Sequence, residues 1–404
     1  MIELRATRSA RTACAALAAT VLAGVVVACG TGDEPSGASD SPVDIATLDV
    51  GAYATQPRQV GTVANQDQAR FIEAERLGDH VPTPADVDAR FIHANPSIAT
   101  VFIDAEASLG KIMAVDRFGE IAPDFIGGFV SSAQTAPDNK GIDMVNAVMI
   151  FPDEQKAAAA ATALERLDFG YAPNNQPLEI PGYPAAKAHW QPDQQSIGSW
   201  FATGHLVIYT WFYDYLKIYL EKVDKQALLD LTRKSLDTIV PSVAKFTPTP
   251  VDKLMTLPRD RENMLGRTAP RPREDSWINP PGVYAGRTAR HFSSDPESTT
   301  KMIADNGVDL FANDGSDVYR ARDIAGAQAV RDELGGLTRK FTAADPPKNL
   351  PSAKCKEYIG REKLAVRFYC AVSYDRYAAY VWSNQLLDAQ QRISAQYALL
   401  VNAR

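Results

Sequence analysis

The chain has 404 residues, 45% hydrophobic and 23% charged, with 25 glycines and 26 prolines. This is globular composition, long enough for two cores, and it excludes collagen-like, coiled-coil and wholly disordered chains. The net charge of −7 excludes a nucleic-acid partner held by phosphate neutralisation, which needs a basic face.

The first 29 residues carry an address. Arg5, Arg8 and Arg11 form a positive segment, and Ala13 to Val27 form an apolar run. That run has the length of a signal-peptide core and falls short of the ~20 apolar residues needed to cross a bilayer. Val26-Val27-Ala28-Cys29 then resembles the bacterial lipobox, with an aliphatic residue three positions before the cysteine and a small one directly before it. The resemblance implies that residues 1–28 are a cleaved signal peptide and that Cys29 takes a diacylglycerol thioether. Two acyl chains anchor stably, so the expected location is the outer face of the cell membrane, with the chain tethered and not spanning. The absence of a twin-arginine pair points to the general secretory route. Residues 30–42 (GTGDEPSGASDSP) hold no apolar side chain larger than alanine and read, within a segment 29–45, as a flexible tether.

Further along, residues 65–78 (NQDQARFIEAERLG) are helix-like and residues 81–88 (VPTPADVD) loop-like. A weak internal repeat then recurs after about 170 residues. Asp153 opens a helical stripe of Ala157, Ala160, Leu164 and Leu167; Asp323 opens one of Ala327, Val330, Leu334 and Leu337. The steps of three, four and three are those of an amphipathic helix, and the leading aspartates suit the positive end of its dipole. Downstream, LVIYTWFYD (206–214) and YAAYVWSN (377–384) each follow a turn after a strand-like run, which predicts a β-hairpin in each copy. A last helix closes each copy, with Leu229 and Leu236 after Asp224 and with Ile393 and Leu400 after Asp388. Each half therefore reads strand, helix, long connection, hairpin, helix. The expectation is an α+β fold of two tandem sandwich units, 46–246 and 282–404, each an antiparallel or mixed sheet with helices on one face. Residues 247–281, dense in Pro and Arg, read as a linker or strap.

Cys355 and Cys370 are the pair left once Cys14 is assigned to the signal and Cys29 to the lipid. In an oxidising compartment they predict one disulfide closing a loop of about fifteen residues. The five histidines include no HExxH spacing, and no GxSxG, GxxxxGK[ST] or GxGxxG is present, so no catalytic residue, cofactor or metal is expected. Ser242 to Lys245 (SVAK) and Ser298 to Lys301 (STTK) fit SxxK, but the SDN and KTG partners of the acyl-serine enzymes are missing. Asn313 to Asp317 (NDGSD) reads as a turn built on Asp-Gly, because Ile324 stands where a calcium loop needs its closing glutamate. His205 falls in a hairpin turn.

Tyr209, Trp211 and Tyr213 fall on one face of their strand and form the candidate binding surface; core packing is the competing expectation, since Tyr380 and Trp382 match them in the second copy. Together, the lipobox, the Ser/Asp/Gly tether, the segment RFIEAERLGDHVPTPADVD and two α+β halves with paired cysteines in the second resemble a family of uncharacterised lipoproteins of mycolic-acid-containing actinobacteria. The resemblance implies a cell envelope and no active residues. The expected function is a lipid-anchored, non-enzymatic protein that binds an envelope lipid, glycan or protein. A hydrolase or transferase acting on envelope polymers, and a structural accessory subunit, are the alternatives.

Overall fold

The computed structural model describes residues 43–94, 98–110, 112–113, 115, 117–272, 279–361 and 366–403. Cys29 and the signal segment lie outside the described residues. The first half runs α1 (Gln66–Gly78), α2 (Pro84–Val87), β1 (His93–Ala94), β2 (Val101–Phe102), α3 (Glu106–Leu109), α4 (Phe118–Ile121), β3 (Gly127–Gln134), β4 (Ile142–Ile150), α5 (Glu154–Phe169), β5 (Gln176–Ile180), β6 (Tyr183–Gln191), β7 (Ser196–Thr203), β8 (Leu206–Asp214), α6 (Tyr215–Tyr219) and α7 (Lys225–Val243). The second runs β9 (Gly282–Ala285), α8 (Pro296–Asn306), β10 (Leu310–Asn313), β11 (Asp317–Arg320), α9 (Ile324–Leu334), β12 (Phe341–Ala344), β13 (Lys354–Tyr358), β14 (Phe368–Tyr374), β15 (Tyr377–Ser383) and α10 (Leu386–Asn402).

The fold is α+β in two tandem units, each built on an antiparallel sheet. The first sheet has the order β1-β3-β4-β8-β7-β6-β5, with β2 also on β3; the second is β12-β13-β14-β15-β11-β10-β9. The path β3-β4-β8-β7-β6-β5 is retraced by β10-β11-β15-β14-β13-β12, which makes the sequence repeat a repeat of topology. The long connection in each copy contains a further hairpin strand pair, β5–β6 and β12–β13, which adds two strands to each sheet.

Local chemistry sets the helices. Asp153 caps α5 by accepting from the Lys156 amide at 2.7 Å, and Asp323 caps α9 by accepting from Gly326 at 2.7 Å. Ala157, Ala160 and Leu164 are buried as the stripe requires, and so are Ala327 and Val330. Leu337 departs from the expected stripe: Gly335 and Gly336 end α9 before it, and it is exposed.

The helices occupy both faces of each sheet, not one. Along β4, Val145, Ala147 and Met149 pack with the α5 stripe, whereas Met144 and Val148 pack with Leu228, Leu231, Leu236 and Ile239 of α7. Neighbouring strand residues point to opposite faces, so α5 and α7 lie on opposite sides. In the second sheet Val318, Val372 and Val381 face α10, while Tyr319 and Ala378 face Val330 of α9. One apolar cluster joins the halves, running from Phe129, Ile208 and Leu236 to Tyr284, Phe311 and Tyr319.

Two extended segments tie this unit together. Residues 43–58 lie against the second half: Leu48 is buried in its core, the Tyr53 hydroxyl donates to Asp388, and Asn402 donates to the Thr55 carbonyl at 2.8 Å. The Pro/Arg-rich strap is held at Glu73, which accepts from the amide and hydroxyl of Thr249 at 2.7 and 2.8 Å, and at Gln396, which accepts from the Ala269 amide at 2.8 Å.

Candidate functional site

Helix α1 carries acidic groups onto a buried face. Its Asn65 cap, Ala69, Ile72 and Leu77 follow helical spacing, yet Glu73 and Glu75 are buried beside them. Glu73 is satisfied by Thr249 and by an ion pair with Arg76. Glu75 faces β9, where the Val283 amide reaches it. Burial holds its carboxyl well above the usual range, against smaller opposing pulls from that amide and from Arg259. Gly282 makes the approach possible, since a Cβ there would stand 2.6 Å from both the Glu75 carboxyl carbon and the Tyr284 hydroxyl. One turn on, Asp79 accepts from the Ala285 amide at 2.7 Å, the Thr288 hydroxyl at 2.9 Å and Arg261 at 2.8 Å.

These contacts close a seam between the halves and leave a cleft of about 440 Å³. Its walls come from α1, the end of α7, the strap and β9: Ile72, Glu75, Phe246, Leu257 and Val283, with Arg76, Lys245, Arg259 and Arg261 around them. A second cleft of about 250 Å³ adjoins it and shares Ile72, Glu75 and Arg259. His80 stands at the wall with its ring 5.7 Å from Phe246; burial, then Arg287, lowers its pKa.

Other openings are less suited to a ligand. A groove of about 760 Å³ runs beside Glu106 and Phe118, but the guanidinium of Arg70 in its wall is occupied by the carbonyls of Ile103, Phe125 and Ile126 at 2.6, 3.3 and 2.7 Å. Beneath α5, Trp200 donates to Asp168 at 3.0 Å and His189 stands 3.9 Å from the same oxygen. Burial pushes Asp168 up to about 7 and His189 down to about 4, so between those values neither is charged and the contact is not an ion pair. All are buried under packed side chains.

The aromatic strip of β8 divides. Tyr209 is fully buried against Trp200, ring centroids 4.3 Å apart, in the core under α5. Trp211 and Tyr213 are half-buried with centroids 5.3 Å apart, and Tyr213 continues to Tyr215 at 4.4 Å. The three residues share a face, but only two of them reach the surface. Cys355 and Cys370 form a disulfide across directly paired positions of β13 and β14. Ser242 donates its hydroxyl to the His80 carbonyl at 2.7 Å, Ser298 bonds Glu333, and Lys301 pairs with Asp305. The Asp-Gly segment forms the turn between β10 and β11, and His205 is exposed in the turn between β7 and β8.

The seam residues were not singled out by motif. The signal that marks them is the density of charge within RFIEAERLGDH, where Glu73, Glu75 and Arg76 lie on a helix that also has to bury an apolar face and Asp79 and His80 directly follow its end. Their partners, Arg259, Arg261 and Val283, are about two hundred residues away.

The N-terminal part of DUF7373, a domain of unknown function, matches residues 60–259, and its C-terminal part matches residues 264–403. The chain belongs to the DUF7373 family. The boundary between the two DUF7373 parts falls beside Arg259 and Arg261, so the cleft lies where the family's halves meet. Comparison with curated proteins finds no match. Among solved structures, the chain is similar to the extracellular domain of PknH from Mycobacterium tuberculosis at 14% identity, covering 45% of this chain and 98% of that one with a TM-score of 0.29. At that score the likeness fixes neither fold nor role. Among the described residues no helix is long and apolar enough to cross a membrane, and no group of three His, Cys, Asp or Glu side chains is placed to hold a metal ion.

Proposed function

We propose that this DUF7373 protein is a lipid-anchored component of the cell envelope that binds a small envelope molecule in the cleft between its halves. The observation that carries the reading is the cleft itself. It is assembled from both family parts and the strap, and it combines apolar walls with convergent polar groups. The anchoring part rests on residues 1–29: a positive segment, an apolar run too short to span a bilayer, and a cysteine in lipobox context.

Residues 30–404, exposed to a lipid and glycan extract of an actinobacterial envelope, should carry a discrete added mass in native mass spectra. A bare chain under conditions that preserve weak complexes would end the binding reading. Cys29→Ser should abolish lipid labelling and release the protein from membranes, and unchanged labelling would end the anchoring one.

A further inference from the structure

The seam cleft is cationic in a chain whose net charge is −7. Arg76 and Arg261 are committed to Glu73 and Asp79. Lys245 and Arg259 form no ion pair among the described residues, although Arg259 donates to the Val60 carbonyl at 3.0 Å. A guanidinium carries five N–H donors, so that bond leaves most of its fork for a ligand oxygen. Burial opposes charge on Glu75, and a protonated carboxyl there would donate a hydrogen bond to an anion. The Tyr284 hydroxyl beside it is buried with no hydrogen-bond partner among the described residues. The lining also includes the apolar side chains of Ile72, Phe246, Leu257 and Val283.

Building on the binding reading above, we propose that the seam cleft takes an amphiphile with a phosphate head, its phosphoryl oxygens on Arg259 and Lys245 and its apolar chain along Ile72, Phe246 and Leu257. The two adjoining clefts, about 440 and 250 Å³, fall near the ~300–1,000 Å³ usual for small-molecule sites, and the head and chain contacts come from the first half and the strap, with Val283 of the second half also in the lining. Arginine's planar fork matches phosphate geometry, and lysine adds a point charge at the cleft mouth.

The test uses residues 30–404, whose body from Val43 onward is one compact unit. Dodecyl phosphate, below its micelle concentration, is titrated by calorimetry beside inorganic phosphate and dodecyl maltoside. One equivalent of dodecyl phosphate should bind, more weakly as salt is raised. Arg259→Met with Lys245→Met should weaken it at least about tenfold, the loss expected for one charge-assisted hydrogen bond, while Lys245→Met alone, which breaks no side-chain bond among the described residues, should weaken it with an unchanged melting temperature. Equal binding of inorganic phosphate would overturn the apolar half of the proposal, and equal binding of dodecyl maltoside the anionic half. A double variant that binds like the parent would overturn the placement. If dodecyl phosphate fails while an extract ligand still binds and is excluded by Leu257→Trp, the ligand class falls and the binding reading stands. No bound mass from either source takes down both.

Discussion

Arg58, at the end of the N-terminal strap, is ion-paired with Asp314, 256 residues further along in the turn between β10 and β11. The Asp314 side chain is only 3% exposed, and its second oxygen accepts the Arg271 amide at 3.1 Å. The Arg271 guanidinium also stands 3.9 Å from that oxygen, so without Arg58 the buried carboxylate keeps its desolvation cost and only part of its compensation. Because Arg58 itself is about one-third exposed, Arg58→Met should destabilise the protein by about 2 kcal/mol, not by the full cost of a buried pair. Urea unfolding checks this, and an unchanged midpoint would remove the strap from the stability of the second half.

Cys355 and Cys370 are neighbours across β13 and β14, fifteen positions apart in sequence. In the chain-entropy account a loop of that size restricts the unfolded state by about 3 kcal/mol. Cys355→Ala with Cys370→Ala should therefore lower unfolding stability by about that much in oxidising buffer, and reductant should reproduce the effect in the parent. Two free thiols in native protein would contradict the pairing.

Asp317 is half-buried opposite Tyr380, and desolvation pushes its pKa from 3.8 to about 7. The native state holds the proton more tightly than the unfolded chain. The stability this group contributes is fully present below about 4, declines as pH rises and is gone above about 7. Asp317→Asn keeps the Asn313 contact without the titration. Its advantage over the parent should grow from pH 4 to pH 7 and then level off in unfolding measured across that range; an advantage independent of pH would show that the carboxyl titrates normally.

Tyr209 separates a packing role from a polar one. Its hydroxyl is buried without a hydrogen-bond partner among the described residues, while its ring fills the space against Trp200. Tyr209→Phe removes an unsatisfied polar group and should be neutral or stabilising by up to about 1 kcal/mol, whereas Tyr209→Ala should cost about 3–5 kcal/mol. Thermal unfolding of the two variants decides; a strongly destabilising Tyr209→Phe would mean that the hydroxyl has a partner.

What could be read from sequence follows the range of the interactions. The repeat was legible because its cues are local: Asp153 and Asp323 cap helices within three residues, and Gly204-His205 and Asp375-Arg376 turn hairpins between adjacent strands. The strand pairs β5–β6 and β12–β13 were missed because their exposed positions dilute alternation; β5 has one buried residue, Ile180. The placement of helices on both faces follows from β4, where consecutive residues are buried and apolar periodicity disappears. Glu75 could not be paired with Val283 or Arg259 by pattern, since only the tertiary fold brings β9 and the strap to α1.

The N-terminal segment of the body, residues 43–58, sets an order of events during synthesis. Tyr53 is among the first residues of the body to emerge, yet its partner Asp388 lies 335 residues later, in the last helix to be made. At 5–20 residues per second that segment waits roughly 20–70 s for its seat. During that interval Leu48 and its neighbours have no surface to cover, so the beginning of the body is the part that folds last, and a chain cut short before α10 would leave it exposed.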